Sequence, residues 1–295
     1  MTKAGQDRFI DAAGLRTHFL DIGEGPPLVL LHGLSANAHS FAGLVDAGLA
    51  RDYRVIAPDL RGRGQSDHPA DGYRMADHAG DVIALLDALG LDQVVLGGHS
   101  FGAYLAAFVA AGHPGRVSKL IVLDAALTVN PRAGEMLKPS LDRLTRVSPS
   151  ADAYLAEVRG APYMDGHWDG AIEEYFRAEI VVADDGTARS ATSASAIAAA
   201  LMAIGQEEWP AIVARAAQPA LLLNAVGAYG PPGAPPLIEG ENAIAMAAAF
   251  PDCRYARVPG NHLTMMFGAG AAAIVAEIRR FLGDGGGAQA PGFIF

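Results

Sequence analysis

The segment Gly98-His99-Ser100-Phe101-Gly102 carries the strongest chemical signal in the chain, because it places a serine between two closely spaced glycines. It directly follows an apolar run at Gln93–Gly97 that is typical of a buried strand, and it directly precedes a helical pattern at Phe101–Ala111. A sharp turn from strand to helix would strain the serine backbone and lift its hydroxyl above the sheet. The glycines permit close approach of the helix, and the helix N-terminus would stabilise a developing oxyanion. We therefore predict that Ser100 is a nucleophile for acyl transfer.

A serine nucleophile needs a base, and His262 is the predicted base among the nine histidines of the chain. It follows the last predicted strand, Arg254–Val258, in a loop at the carboxyl edge of the sheet, where open α/β folds bind their ligands. The chain order serine, acid, histidine also favours the last histidine. His99 is expected to point away from the site if the turn forms. The other histidines are expected to be solvated or structural: His18, His39, His68, His78, His113 and His167.

The candidate catalytic residues are positioned by strands that alternate with helices along the chain. Short apolar runs bounded by turn residues predict buried strands, and apolar residues at helical spacing predict the helices between them. Two alternating runs at the start of the chain, Arg8–Ala12 and Arg16–Asp21, predict a hairpin. The alternation predicts an α/β fold with a mostly parallel central sheet flanked by helices. The later predicted strands are Pro27–His32, Tyr53–Ala57, Gln93–Gly97, Lys119–Leu123, Ala220–Ala225 and Arg254–Val258. The predicted helices between and after these strands are Ala38–Ala50, Met75–Leu89, Phe101–Ala111, Glu241–Phe250 and Ala271–Leu282.

After Asp124 the alternation stops, and the pattern as far as Trp209 is helical only. Helices are predicted at Ala151–Val158, Trp168–Val182 and Ala194–Ile204, with a turn at residues 184–187. This stretch is expected to form a lid over one edge of the sheet. The glycine-rich tail is expected to be flexible; the alternative is that its apolar end docks on a groove or a partner subunit, as in a homodimer. The predicted units are an α/β core (1–127 and 210–282), an inserted helical lid (128–209) and the tail (283–295).

Composition limits the possible partners. The formal net charge is −10, so binding to nucleic acid is disfavoured, and no basic run suits an anionic membrane surface. No signal peptide or apolar run of about 18 residues is found, so a cytoplasmic protein is expected. The single cysteine, Cys253, excludes a disulfide framework and a cysteine-rich zinc site. No cofactor or metal is expected, because HExxH, Walker and dinucleotide motifs are missing; Gly62-Arg63-Gly64 lacks the third glycine.

Residues 27–124 and 219–282 resemble the α/β-hydrolase superfamily. The matching motifs are His32-Gly33-Leu34, the segment Asp59-Leu60-Arg61-Gly62-Arg63-Gly64-Gln65-Ser66-Asp67, the serine turn at 98–102, and Gly260-Asn261-His262. The resemblance implies an oxyanion hole formed by the backbone N–H groups of Leu34 and Phe101. It also implies that His32 and Asp59 mainly hold loops around the site, with a chemical role as the alternative. A serine rather than an aspartate in the turn argues against the haloalkane dehalogenase and epoxide hydrolase chemistry that the same fold supports.

The position of the acid departs from the usual pattern of the superfamily. In most of the superfamily the acid follows the strand that corresponds to Ala220–Ala225 in this chain. Here, however, residues 226–238 contain neither Asp nor Glu. Asp124 ends the strand after the serine helix, where it is similar to the acid of polyketide-type thioesterases and of acetamidomethylene-succinate hydrolase. We predict that Asp124 orients His262 and stabilises its imidazolium form. Glu239 is the alternative acid, although its place before a helix also suits a helix-terminal charge.

The predicted activity is hydrolysis of a carboxylic ester or lactone of a medium-sized, partly apolar small molecule. The alternatives are an amide or enamide, thioester or C–C bond hydrolase with the same triad, and a ligand-binding protein without turnover. His32, Tyr163, Trp168 and Tyr175 are the candidate substrate contacts, and the other apolar lid residues are expected mainly to form the lid core. The lid arginines are expected to be solvated, but any that faced the cleft would favour an acidic substrate. They are Arg143, Arg146, Arg159 and Arg177.

Overall fold

The computed structural model describes residues 6–128, 130–164, 166–231 and 233–283. The predicted tail therefore lies outside the described residues, apart from Gly283. Ten strands are described: β1 (Gln6–Ala12), β2 (Leu15–Ile22), β3 (Pro27–Leu31), β4 (Arg54–Pro58), β5 (Val94–His99), β6 (Val117–Leu123), β7 (Ile180–Val182), β8 (Ala188–Ser190), β9 (Ala220–Ala225) and β10 (Cys253–Val258). The α-helices of the same residues are α1 (Ala42–Asp46), α2 (Met75–Ala88), α3 (Phe101–Gly112), α4 (Ala133–Asp142), α5 (Ala151–Arg159), α6 (Gly170–Ala178), α7 (Ala194–Ile204), α8 (Trp209–Arg215), α9 (Gly240–Ala249) and α10 (Gly268–Gly283).

Within the described residues, eight strands form one sheet in the order β1-β2-β4-β3-β5-β6-β9-β10. The β1–β2 hairpin is antiparallel, and β2 also pairs antiparallel with β4. All other neighbours in this sheet are parallel. The predicted fold class is confirmed: this is a mostly parallel sheet flanked by helices, as in α/β-hydrolases.

Both faces of the central part of the sheet are buried, which explains why β3 and β9 are almost continuous apolar runs. In β3, Leu28 and Leu30 pack into one apolar cluster and Val29 and Leu31 into the other, as the two-residue period of a strand requires. Helices α2, α3, α8 and α9 cover the second face, and α1 and α10 cover the first.

The parallel strands bring their carboxyl ends to a single edge. Leu34 follows β3, Ser100 follows β5, Asp124 follows β6 and His262 follows β10. Residues far apart in sequence are thereby placed at the same edge of the sheet. The segment between β6 and β9, called here the β6–β9 connection, supplies part of the wall of a cavity at this edge.

Two helix predictions are corrected by the structure. The predicted helix Trp168–Val182 ends at Ala178, and β7 pairs antiparallel with β8 across the predicted turn at residues 184–187. The segment predicted to be helical only therefore contains a hairpin, because the β-branched run Ile180–Val182 favours an extended backbone. The predicted helix Ala38–Ala50 is divided into short helices, with Gly48 at a φ of +95°.

Candidate active site

Ser100 lies at the strained turn between β5 and α3. Its φ of 54° and ψ of −117° are unusual for a residue with a side chain, and its N–H donates to the Leu123 carbonyl at 2.9 Å. A Cβ at Gly98 would overlap the Gly102 carbonyl, and a Cβ at Gly102 would overlap the Leu31 carbonyl. Both glycines are therefore required for the close contact of helix and strands, which leaves the half-buried Ser100 side chain on the cavity wall.

Asp124 and His262 form a buried pair beside this serine on the same cavity wall. His262 Nδ1 lies 2.7 Å from Asp124 Oδ2. The other carboxylate oxygen, Oδ1, accepts from Asn224 Nδ2 and from the Ala225 N–H, each at 2.8 Å. An ionised carboxylate only accepts, so Nδ1 carries the proton and Nε2 keeps its lone pair. This arrangement can take a proton from a nearby hydroxyl.

The alternative acid, Glu239, lies elsewhere. It is half-buried at the start of α9, where it accepts from Asn130 Nδ2 at 3.1 Å, and it does not line the cavity. Its position agrees with the helix-terminal role considered from the sequence. Of the two candidate acids, Asp124 is the one that the fold brings to His262.

The N–H groups of Leu34 and Phe101 form no hydrogen bond within the described residues, and both residues line the cavity. The His32 side chain holds the peptide group that carries the Leu34 N–H. Its Nδ1 donates to the Gly33 carbonyl at 2.8 Å, and this carbonyl belongs to the same peptide plane as the Leu34 N–H. His32 Nε2 accepts from the Leu60 N–H at 3.0 Å. The oxyanion candidates are therefore available to a ligand, and one of them is held in place by a histidine.

The structure corrects the prediction that His32 contacts substrate. Its side chain is fully buried, both ring nitrogens are bonded to backbone groups, and it does not line the cavity. Burial lowers the pKa of His32 to about 4, so the ring stays neutral and keeps the donor and acceptor that these two bonds need.

Arg63 also contacts both of the candidate oxyanion residues, Leu34 and Phe101, and the sequence pattern predicts no such role for it. Its Nε donates to the Leu34 carbonyl at 3.0 Å, and its guanidinium carbon lies 5.4 Å from the centre of the Phe101 ring. The side chain is fully buried and has no carboxylate partner within the described residues; its Nη2 has no hydrogen-bond partner there either. Burial lowers the pKa of Arg63 to about 9, which still leaves a cation near neutral pH.

His99 was expected to point away from the site, and this expectation is wrong. Its ring centre lies 4.7 Å from that of His262, and its Nε2 donates to the His262 carbonyl at 2.7 Å. Burial, reinforced by the neighbouring His262, lowers the pKa of His99 well below its usual value. His99 is therefore a neutral donor that holds the loop of the candidate base. No signal in the sequence distinguishes this role, because the contact joins residues 163 positions apart.

Tyr163 and Tyr175 line the cavity, as predicted for substrate contacts, but Trp168 does not. The Trp168 ring stacks on Phe176 with centres 6.0 Å apart, and its Nε1 donates to Glu173. Trp168 therefore packs within the β6–β9 connection, which corrects its predicted role. Most of the other residues that line the cavity are apolar: Ala36, Tyr104, Ala133, Leu137, Leu141, Leu201, Ile204, Leu237, Ile238, Leu263, Met266 and Phe267. Ser35, Ser40, Ser140 and Tyr229 add hydroxyl groups to the lining.

Arg143 departs from the expectation that the lid arginines are solvated. It is buried, it lines the cavity, and it forms an ion pair with Glu179 at 3.0 Å. Arg146, Arg159 and Arg177 are exposed, as expected. The sequence does not predict that Arg143 is buried and paired, because its partner, Glu179, lies 36 residues further along the chain.

Among the described residues, no group of three or more His, Cys, Asp or Glu side chains could hold a metal ion. In the same part of the chain, no helix has both the length and the apolar character needed to span a membrane.

Comparison with known proteins places these features in context. The family model for the alpha/beta hydrolase fold matches residues 26–168. The chain is 42% identical over 125 residues to the 2-hydroxymuconate semialdehyde hydrolase of Pseudomonas sp. strain CF600. This match covers 40% of this chain and 43% of that protein. It is also 40% identical over 111 residues to the soluble epoxide hydrolase of Corynebacterium sp. strain C12, and this match covers 38% of each chain. These matches span less than half the length of either relative. The crystal structure of E-2-(acetamidomethylene)succinate hydrolase superimposes with a TM-score of 0.81 over 95% of this chain and 99% of that one, and its 23% identity shows a shared fold.

Proposed function

We propose that this chain, which has the α/β-hydrolase fold and matches the family model for that fold over residues 26–168, is a serine hydrolase that cleaves a carboxylic ester or lactone through an acyl-enzyme on Ser100. The observation that carries this proposal is that Ser100, Asp124 and His262 line one cavity at the same edge of the sheet. Ser100 is held in a strained turn on the cavity wall, and the Asp124–His262 pair leaves a basic ring nitrogen on that wall.

In the proposed mechanism Ser100 Oγ attacks the scissile carbonyl while His262 Nε2 takes its proton. The N–H groups of Leu34 and Phe101 bind the oxyanion of the tetrahedral intermediate. The Asp124 carboxylate stabilises the imidazolium that forms. His262 then protonates the leaving group and activates the water that releases the acid from Ser100.

The proposed substrate is a medium-sized, partly apolar small molecule. The cavity is open to solvent at its mouth, and its lining is mostly apolar. The relative that is named a 2-hydroxymuconate semialdehyde hydrolase favours one alternative, in which the same triad hydrolyses another bond, such as a C–C bond, next to a carbonyl.

A fluorophosphonate that mimics the acyl-transfer transition state tests the nucleophile directly. We expect one equivalent of label per chain, located by peptide mass spectrometry on Ser100, because this hydroxyl combines a base and two oxyanion donors. Ser118 provides a matched control: it lies near the start of β6, where its hydroxyl donates to the Val94 carbonyl. Labelling of another residue, or equal labelling of Ser100 and Ser118, would contradict the proposed mechanism.

Arg63 is expected to act on the reaction through the oxyanion loop. Replacing it with methionine should lower kcat about ten- to a hundredfold with little change in KM, because a displacement of about 1 Å near the reacting centre can cost a hundredfold. The thermal midpoint should hardly fall, because the variant no longer buries a charge that lacks a carboxylate partner. Steady-state kinetics with p-nitrophenyl butyrate and thermal unfolding measure the two effects.

Arg61→Met is the matched control for this variant, since Arg61 lies in the same loop, forms an ion pair with Asp81 and does not line the cavity. It should show the opposite result, with a lower thermal midpoint and kcat near that of the wild type. If Arg63→Met also lowered the midpoint and left kcat unchanged, Arg63 would be a structural residue only.

A further inference from the structure

A group of hydrogen-bond donors lines the cavity on the side of the β6–β9 connection, and the mechanism makes no use of it. This group, called here the donor cluster, consists of Arg143, Tyr163, Tyr175 and Tyr229 together with Ser140. The cluster reaches the catalytic groups, since the Tyr229 ring packs edge-on against His262 with centres 5.7 Å apart. Tyr163 stacks on Tyr229 with the same spacing of ring centres, 5.7 Å. A substrate held at Ser100 would therefore have the donor cluster close to its reacting end.

The positive charge in the cluster is already balanced. Arg143 Nε and Nη2 each lie 3.0 Å from an oxygen of Glu179, so the carboxylate occupies one whole edge of the guanidinium. Tyr154 adds a hydrogen bond to Glu179 at 2.7 Å. Both members of the ion pair are buried. The cluster consequently presents donors to the cavity without a net positive charge.

Several of these donors have no acceptor within the described residues. Tyr163 Oη accepts from Arg143 Nη1 at 3.1 Å, so its own O–H remains available. The Tyr175 hydroxyl forms no hydrogen bond in the described part of the chain, although the residue is buried and lines the cavity. Tyr229 and Ser140 share one bond at 3.1 Å, which uses only one of their two protons.

Tyr175 and Tyr229 stay protonated near neutral pH. Burial raises the pKa of Tyr175 well above its usual value, and the nearby Glu179 raises it further. Burial also raises the pKa of Tyr229 to about 12. Both hydroxyls are therefore donors under ordinary conditions, and a ligand that fills this end of the cavity must supply acceptors, because an unmatched buried donor is costly.

We propose that the donor cluster binds a second, uncharged oxygen of the substrate, such as a ketone or ester carbonyl a few bonds from the scissile carbonyl. The proposal rests on the proposed function and deepens it by naming a substrate class. A carboxylate fits less well, because Glu179 already matches the charge of Arg143, and Arg143 is the only arginine or lysine among the described residues that line the cavity. A buried carboxylate there would lack a net opposite charge.

Three p-nitrophenyl esters of nearly equal size test this class: the hexanoate, the 5-oxohexanoate and the hemiglutarate. We expect kcat/KM for the oxo ester to exceed that of the hexanoate about tenfold, which is the effect of one or two net hydrogen bonds. The hemiglutarate should be the poorest of the three. Equal values for the oxo and alkyl esters, or a preference for the hemiglutarate, would overturn the proposal.

Tyr175→Phe separates the donor from the shape of the cavity, since it removes a hydroxyl without a partner and keeps the ring. It should reduce the oxo-to-alkyl ratio several-fold. Tyr53→Phe is the matched control, because Tyr53 is a half-buried tyrosine directly before β4 that does not line the cavity; it should leave the ratio near the wild-type value. Glu179→Gln should shift the preference towards the hemiglutarate, because it leaves Arg143 with an unmatched charge.

Binding of the corresponding methyl esters to the Ser100→Ala variant, measured by calorimetry, separates this proposal from the proposed function. The oxo ester should bind about tenfold more tightly than the alkyl ester. If the wild type hydrolyses none of the esters while this binding preference remains, the proposed function fails and the donor cluster stands. Equal binding of the two esters would overturn the cluster whether or not the protein turns over.

Discussion

Replacing Ser100 with alanine is expected to lower kcat for p-nitrophenyl butyrate by about 10⁴- to 10⁶-fold, the range found when the nucleophile of a catalytic triad is removed. The loss is large because the base and the oxyanion donors have no covalent step to assist once the hydroxyl is gone. Residual hydrolysis would come from the Leu34 and Phe101 N–H groups alone. Steady-state rates in metal-free buffer measure the effect.

The fold should survive this change. The turn at residue 100 has a φ of 54°, but its shape is fixed by the bond from its N–H to Leu123 and by the contacts of the flanking glycines. Ser118→Ala is the matched control and should retain wild-type rates. Equal activity of Ser100→Ala and the wild type would remove Ser100 from the mechanism. If the wild type itself left a range of simple esters intact, the amide, C–C and non-catalytic alternatives would be favoured over an ester hydrolase.

The parts of the site that follow from local sequence could be predicted. The serine turn is a strand, a small loop and a helix in direct succession, so neighbouring residues determine it. His262 and Asp124 could be placed because each follows a recognisable strand, and parallel strands end at the same edge. Asp124 is favoured over Glu239 because it ends a strand at this edge, next to the serine strand, and it is the acid that the fold places against His262.

The residues that were missed depend on contacts between distant parts of the chain. Arg143 reads as a surface charge until Glu179 is placed beside it across the β6–β9 connection. His99 and Arg63 lie inside recognised motifs, but the groups that they hold, the His262 carbonyl and the Leu34 carbonyl, belong to other loops. Trp168 is a different case: residue type alone suggests a cavity contact, whereas its ring stacks on Phe176, eight residues along the chain. Periodicity carries no information on such pairings.

Replacing Asp124 with asparagine is expected to lower kcat about 10⁴-fold while the protein stays folded. Asparagine tolerates the φ of 54° at this position, so the backbone can be retained. Because the Asn224 side chain and the Ala225 N–H both donate to Oδ1, the amide oxygen of the variant should stay on these two donors. Its NH₂ group then faces His262 Nδ1.

A donor in that position reverses the tautomer of His262. Nδ1 must accept, so the ring proton moves to Nε2, which can no longer take a proton from the serine hydroxyl. Rates of p-nitrophenyl butyrate hydrolysis and of fluorophosphonate labelling should therefore fall together, since both need the same base. Glu239→Gln is the matched control and should keep both rates, because Glu239 contacts Asn130 and does not line the cavity. Near-normal rates for Asp124→Asn combined with a large loss for Glu239→Gln would transfer the role of the acid to Glu239.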